Sequence, residues 1–308
     1  MPFAKHNTFH IREGWLFKGM AAIKTAEAEG QPATIFRDKD APEKLGIGRN
    51  MVFALRFWMQ ATGLTKETSE NRLTVQRLTP FGEMVWKCDR FLENEGTLWL
   101  IHYNLACSQN QATTWFWFFN HYAPVAFDDH TCLEALSRWI VTIQPDKPIA
   151  LSSLKKDVDC LLKTYLVDHE TRTPENLIES PLGQLNLLSQ VEDGPRKRYR
   201  MERLDPARLD PLILLYVLTD QQARKENPRE YQVKLSQVLR EPMNAGRVFN
   251  LTTAALTDLL AELNKQHADW GVRFDRTAGL DQITLRPIEP LEILGRYYTE
   301  KDLTWEGV

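Results

Sequence analysis

Asp89 and Glu93 stand four residues apart, and His102 and Asn104 follow within the same stretch. Paired carboxylates can hold Mg2+ or Mn2+ through oxygen, and an ion so held positions a water for phosphodiester hydrolysis. A neighbouring histidine would handle the proton. A plainer reading competes with this one: Asp89 and Glu93 cap and solvate helix ends, and His102 is a hydrogen-bonded core residue. Nothing as tight as an H-E-x-x-H motif decides between them.

The second constellation is cationic. In LGIGRNMVFALRFWMQ, residues 45–60, Met51, Leu55 and Trp58 share one helical stripe, with Val52 and Met59 beside it. The opposite stripe runs Arg49, Phe53, Arg56, Gln60, with Asn50 next to Arg49. A polar stripe with cations and no carboxylate suits an anion, and double-stranded DNA is the obvious one. The alternative is an amphipathic helix whose two arginines are merely solvated. Arg12 and Lys18 lie among aromatics in FHIREGWLFKGM, either where phosphates and stacked bases are gripped or on a helix that buries Trp15 and Leu16 and leaves its basic residues in water. Arg196, Lys197, Arg198 and Arg200 form a compact basic cluster in RKRYRMERL. It reads as an exposed strand or wing on DNA, or as an edge strand blunted by charge.

These residues need elements to position them. The stripe predicts a helix to Thr62, with Gly63 as its C′ residue. Leu73 to Leu78 alternate as a strand, and Thr79-Pro80 supplies an N-cap and a first-turn proline. Leu98 to Leu105 read as a strand-like apolar run, which places His102 on the face of Leu98, Leu100 and Asn104. The aromatic run Trp115 to Phe119 reads as core. Helices are expected over 131–143, 152–166 with Ser152 as cap, 210–219, 228–241 and 252–267, then a hairpin pairing 272–276 with 282–286. The fold class is therefore mainly α with short β-hairpins (α+β), as tandem winged-helix-like, helix-turn-helix domains. A boundary near Pro124 to Asp129 gives a DNA-binding unit over 1–123 and a helical region over 124–308 with one or two further such units.

Composition bounds the function. The net charge of −3 hides a gradient: residues 1–77 hold 12 Lys/Arg against 8 Asp/Glu, and residues 78–150 hold 4 against 8. A basic face beside an acidic segment follows, rather than a general polyanion binder. The four cysteines are irregularly spaced, against a zinc ribbon or a disulfide framework. No apolar stretch reaches membrane-spanning length and the N-terminal residues do not read as a secretory apolar region, so no membrane partner and a cytoplasmic location are expected. A Gly-Lys-Ser/Thr phosphate loop, G-x-G-x-x-G and G-x-S-x-G are all missing, so no nucleotide or organic cofactor is expected.

Four phrases resemble a bacterial family: FHIREGWLFKGM at 9–20, LGIGRNMVFALRFW at 45–58, LTPFGEMVWKCDRFLENEGTLWLIHYNLA at 78–106 and WFWFFN at 115–120. They are similar to the domain of unknown function (DUF4007-like) in the SspB-type component of DNA phosphorothioation systems, which act in antiviral defence. The resemblance implies a metal-dependent nickase that opens one DNA strand so that sulfur replaces a phosphate oxygen. It implies a cysteine desulfurase, a sulfurtransferase and an ATPase as partners. It supports Arg49, Asn50 and Arg56 as DNA-facing, with Arg12 and Lys18 as neighbours. It also raises Asp89, Glu93 and His102 as candidates for metal binding or acid–base work. The alternative function is a non-catalytic DNA-binding adaptor or regulator that recruits the sulfur-transfer enzymes.

Overall fold

Helical spacing of apolar residues builds the first layer: α1 (Trp15–Ala28), the short α2 (Ala41–Leu45) and α3 (Arg49–Ala61). The structure is a computed structural model and describes residues 1–167, 179–192, 197–224, 231–277 and 280–303. Gly46 (φ 63°) ends α2 in the left-handed region and Gly63 (φ 75°) follows α3 in the same way. The stripe expected of α3 is the one it buries, with Val52, Leu55, Trp58 and Met59 fully enclosed. The antiparallel hairpin β1 (Thr65–Glu70) and β2 (Leu73–Leu78) turns at Asn71 and Arg72, both with positive φ, as a tight two-residue turn requires. Thr79 then caps α4 (Pro80–Cys88), its hydroxyl accepting from the Gly82 amide at 3.0 Å.

The apolar run Leu98 to Leu105, expected as a strand, is instead the middle of α5 (Glu95–Cys107). Its residues are buried on every side, so neither a two-residue nor a helical period shows in the sequence. Asn94 caps it, and α6 (Thr113–Trp117) continues into a π turn (Phe118–Tyr122), which puts the aromatic run in the core.

After β3 (Ala126–Phe127) come α7 (Asp129–Ile143) and α8 (Leu151–Tyr165), near the expected bounds. The cap position of α8 is Ala150 rather than Ser152. β4 (Leu188–Glu192) and β5 (Lys197–Met201) follow, then α9 (Pro211–Ala223), capped by Asp210. Where one helix was expected over 228–241, the described part is β6 (Tyr231–Lys234) and then α10 (Leu235–Arg240). Next are α11 (Ala245–Val248), α12 (Thr253–Gln266), the expected hairpin β7 (Arg273–Thr277) and β8 (Leu280–Leu285), and α13 (Pro290–Glu300). The class is thus α with β, mostly helical with short antiparallel sheets.

Two sheets share one wiring. In each, a strand is followed by helices and then a hairpin, and the hairpin's last strand pairs back onto the first: orders β3-β5-β4 and β6-β8-β7. β5 is therefore a central strand, not an edge, bonded to β4 through Leu188↔Met201 and to β3 through Phe127↔Tyr199. Tyr199 and Met201 point inward while Lys197, Arg198 and Arg200 point to solvent.

The buried residues from Ile11 to Tyr298 make one continuous cluster, which crosses the expected junction at 123/124 without a break. α13 returns to α4 and α9, and the Tyr298 hydroxyl meets Thr97 Oγ1 at 2.9 Å. Cys132 and Cys160 are buried and all four cysteines are free thiols. Among the described residues no helix is long and apolar enough to cross a membrane.

Trp58 joins these layers: it is fully buried, its indole donates to Phe9 O at 3.0 Å, and its ring meets Trp115 edge-on at 5.3 Å. Trp58→Ala should lower the unfolding free energy by about 3–5 kcal/mol. Chemical denaturation measures this. A variant that melts with the parent would show that Trp58 is not part of the core.

Candidate functional site

The loop between α4 and α5 is built by Asp89. Its Oδ1 accepts the Glu93 amide at 3.0 Å and its Oδ2 the Asn94 amide at 3.1 Å, so both carboxylate oxygens hold the backbone of the loop. Only 7% of Asp89 is exposed; burial pushes its carboxyl above the usual range, against the opposing pull of Thr97 and the two amides. Leu92 turns inward with φ 60°, a conformation that costs a branched residue about 1–2 kcal/mol. Glu93 is exposed. Lys87, Arg90, Phe91, Glu93 and Asn94 line a cleft of about 500 Å³ over this loop, with Leu303 at its side.

His102 is elsewhere. It sits about two turns inside α5, roughly 10 Å along the axis from the loop. Its Nε2 meets Val248 O at 2.9 Å and its Nδ1 the Tyr165 hydroxyl at 2.7 Å. A carbonyl only accepts, so Nε2 carries the proton and Nδ1 accepts from Tyr165. Full burial lowers its pKa to about 4, with the Val248 carbonyl pulling the other way. The expected group of Asp89, Glu93 and His102 therefore does not assemble: the histidine is a satisfied core residue with no access to solvent. A strand over this run would misplace it, because an apolar run without periodicity does not give its own direction.

Four cations of the first quarter expected at DNA, Arg49, Arg56, Lys18 and Arg12, are tied to their own chain. Arg49 donates to Asp38 O at 2.7 Å and Lys39 O at 2.6 Å while staying exposed, and Asn50 beside it is exposed too. Arg56 is partly buried in an ion pair with Glu67, which also accepts from Gln60 at 3.2 Å. This carboxylate comes from β1, outside the helix, so the cationic stripe is neutralised at that end. Lys18 donates to Leu45 O at 3.2 Å, at the carbonyl end of α2. The Arg12 guanidinium lies over the rings of Phe9 and Trp15 at 5.9 and 5.6 Å. Arg200 pairs with Glu202 at 2.7 Å. Lys197 and Arg198 are exposed on β5, and Arg196 lies outside the described residues.

Two further groups stand outside the expected site residues. Ser152, Lys155, Lys156 and Lys163 are exposed on α8, at helical spacing, with the acidic Asp159 partly exposed among them. Their spacing is visible within the expected helix over 152–166. The other group has no sequence signal: His6 Nε2 meets the buried Asp157 Oδ1 at 2.9 Å, Ala4 N reaches the same oxygen at 2.7 Å, and Thr114 reaches Oδ2 at 2.7 Å. These partners are far apart in sequence, so only the fold joins them.

The family model described as Protein of unknown function (DUF4007) matches residues 3–298. The chain belongs to this family. It is similar to a magnesium-ion-bound SspB crystal structure at 27% identity and TM-score 0.85, covering 96% of this chain and 88% of that one. A second SspB crystal structure gives TM-score 0.82 at the same identity and the same coverage. No curated protein sequence matches it.

For this DUF4007 chain, a divalent ion can be tested against the residues at hand. Asp89 is nearly closed off and holds two amides, Glu93 is exposed, and Lys87 and Arg90 share the cleft with them. Asn94 Oδ1 already accepts from Gly96 N at 2.9 Å and from the Tyr297 hydroxyl at 2.5 Å. Among the described residues no three His, Cys, Asp or Glu side chains come together to hold a metal. The Asp89–Glu93 pair does not fit as a magnesium centre, and no step is written through one.

The burial of neutral His102 has a pH signature. Between the unfolded value of 6.5 and about 4, the unfolded chain binds a proton that the folded chain refuses. Its contribution is present above pH 6.5 and is lost as pH falls towards 4, by about 3 kcal/mol in all. The stability gap between the parent and His102→Gln should therefore narrow over this range in denaturant titrations. A gap that stays constant with pH would mean that His102 takes up its proton in the fold as readily as in the unfolded chain.

Proposed function

We propose that this chain is the SspB-type component of a DNA phosphorothioation system, a cytoplasmic protein that binds duplex DNA and nicks one strand for sulfur incorporation. The observation that carries the reading is the likeness to the magnesium-bound SspB structure over nearly the whole chain. We extend the Mg2+ or Mn2+ requirement of a nickase to this chain on that likeness, without the Asp89–Glu93–His102 group as its seat. A cysteine desulfurase, a sulfurtransferase and an ATPase would be its partners.

The wiring supports tandem winged-helix-like units. α2, a tight turn at Gly46 and α3 precede the β1–β2 hairpin, as a helix-turn-helix precedes its wing. The β3-β5-β4 and β6-β8-β7 sheets repeat the pattern of a first strand, helices and a returning hairpin. In that reading Arg49, Asn50 and exposed Phe53 of α3 face DNA. In the second unit, Lys155, Lys156 and Lys163 of α8 take the groove, and Lys197, Arg198 and Arg200 of β5 form the wing.

A second reading, the non-catalytic adaptor that recruits the sulfur-transfer enzymes, is favoured by one observation. The expected catalytic group is dispersed, with its histidine sealed in the core.

Supercoiled plasmid with the purified chain and Mg2+ or Mn2+ should yield the open-circular form. Duplex binding with no nicking in either metal would leave the adaptor reading. Replacing Lys155, Lys156 and Lys163 together with Ala should reduce duplex affinity. The salt slope of log K should fall with it, by about 0.9 for each phosphate that the variant no longer neutralises. An unchanged slope and affinity would remove α8 from the interface.

A further inference from the structure

Phe91 is 58% exposed, on a loop that is otherwise fixed. Asp89 holds the loop by two amides, Leu92 is turned into the core at positive φ, and Leu92 N bonds Asp89 O at 3.0 Å. The loop thus takes up backbone strain to bury Leu92 and hold its neighbour outward. The Phe91 ring packs at 4.7 Å on Phe17, which stacks in turn on Trp86 at 6.1 Å and 12°. The Arg90 guanidinium lies over Trp86 at 4.6 Å. The cleft of about 500 Å³ that Phe91 borders carries Lys87 and Arg90 as well.

We infer that this aromatic ledge binds an unpaired nucleobase of single-stranded DNA, stacked on Phe91, with its phosphates towards Lys87 and Arg90. Rigid rings beside cations are the chemistry by which proteins hold single strands without reading sequence, since every base has a face to stack. The two cations favour a polyanion over an apolar protein surface, and the cleft has room for a small-molecule-sized group. Glu93 and Asp89 are the opposing carboxylates at the cleft, Asp89 with both oxygens already held by backbone amides. The inference rests on the proposed function: a protein that opens one strand of DNA needs somewhere to keep the strand it frees. Asp89 acts here as a positioning residue, through the backbone that presents Phe91.

The test measures binding of labelled oligo(dT), and of a duplex of equal length, to the full chain by fluorescence anisotropy. Phe91→Ala should weaken oligo(dT) binding about ten- to a hundredfold. Its melting temperature and duplex affinity should stay unchanged, because the ring is exposed. Phe91→Trp should retain binding. Lys87→Ala should lower the salt slope for oligo(dT) by about 0.7, whereas Phe91→Ala leaves the slope alone because stacking releases no counterion. Glu93→Gln should tighten binding. A parent chain that ignores oligo(dT), or a Phe91→Ala variant that binds it like the parent, overturns the inference. So does a Phe91→Ala variant that keeps oligo(dT) binding but changes its sedimentation, which would make the ledge a contact between copies of the chain. Duplex binding and nicking that survive in such a variant would leave the proposed function standing alone. Phe91-dependent oligo(dT) binding without duplex binding would do the reverse.

Discussion

A histidine with no exposure, in the middle of a helix that is apolar all round, must have both ring nitrogens satisfied by protein. His102 meets that constraint by joining three elements: its own α5, α8 through Tyr165 and α11 through Val248. The rest of α5 is bound by the same rule. Trp99 donates to Arg208 O at 3.1 Å, Tyr103 donates to Asp220, and Thr97 meets Tyr298. Each buried polar group on this helix reaches a different part of the chain. A helix with no outward face can be covered only from every side, and its polar atoms set where each covering element must stand. That is why one core runs through residues on both sides of 123/124.

What is legible in the sequence follows from this. Half-exposed elements advertise themselves: the α3 stripe sets buried residues against exposed ones, the strand at 73–78 buries Val75 and Leu78 beside an exposed Leu73, the last hairpin buries Ile283 and Leu285, and the Thr79-Pro80 cap marks a helix start. Fully enclosed elements do not. α5 reads as a strand because its apolar run has no wet side to contrast with a dry one. β5 reads equally well as an edge because Lys197, Arg198 and Arg200 point outward, and outward charge is compatible with an edge and with the middle of a one-faced sheet alike.

The site is less legible than the fold, for a different reason. A charged side chain's role depends on its partner, and partners come from elsewhere in the chain. Arg56 reads as a free cation until β1 brings Glu67 to it. Asp157 gains a role only when the N-terminal segment delivers His6 and the Ala4 amide. The α8 lysines are the contrary case. Their side chains stay in water, so their helical spacing alone is enough to place them on one face.

Asp89 and His102 invite grouping because carboxylate and imidazole so often work together, and the fold separates them by what each can tolerate. Burial drives both towards their neutral forms, but by different routes. His102 can be neutral and fully bonded at once, so it can sit at the bottom of the core. A carboxylate needs several donors to be buried, and the densest supply of unpaired backbone amides is the start of a helix. Asp89 stands just before α5, where the Glu93 and Asn94 amides are available, and by taking them it fixes the turn that leads into the helix. The same two amides that satisfy the carboxylate thereby force Leu92 inward and Phe91 outward. The surface feature of this loop is thus a consequence of how a buried charge was accommodated, and its stiffness comes from the same bonds.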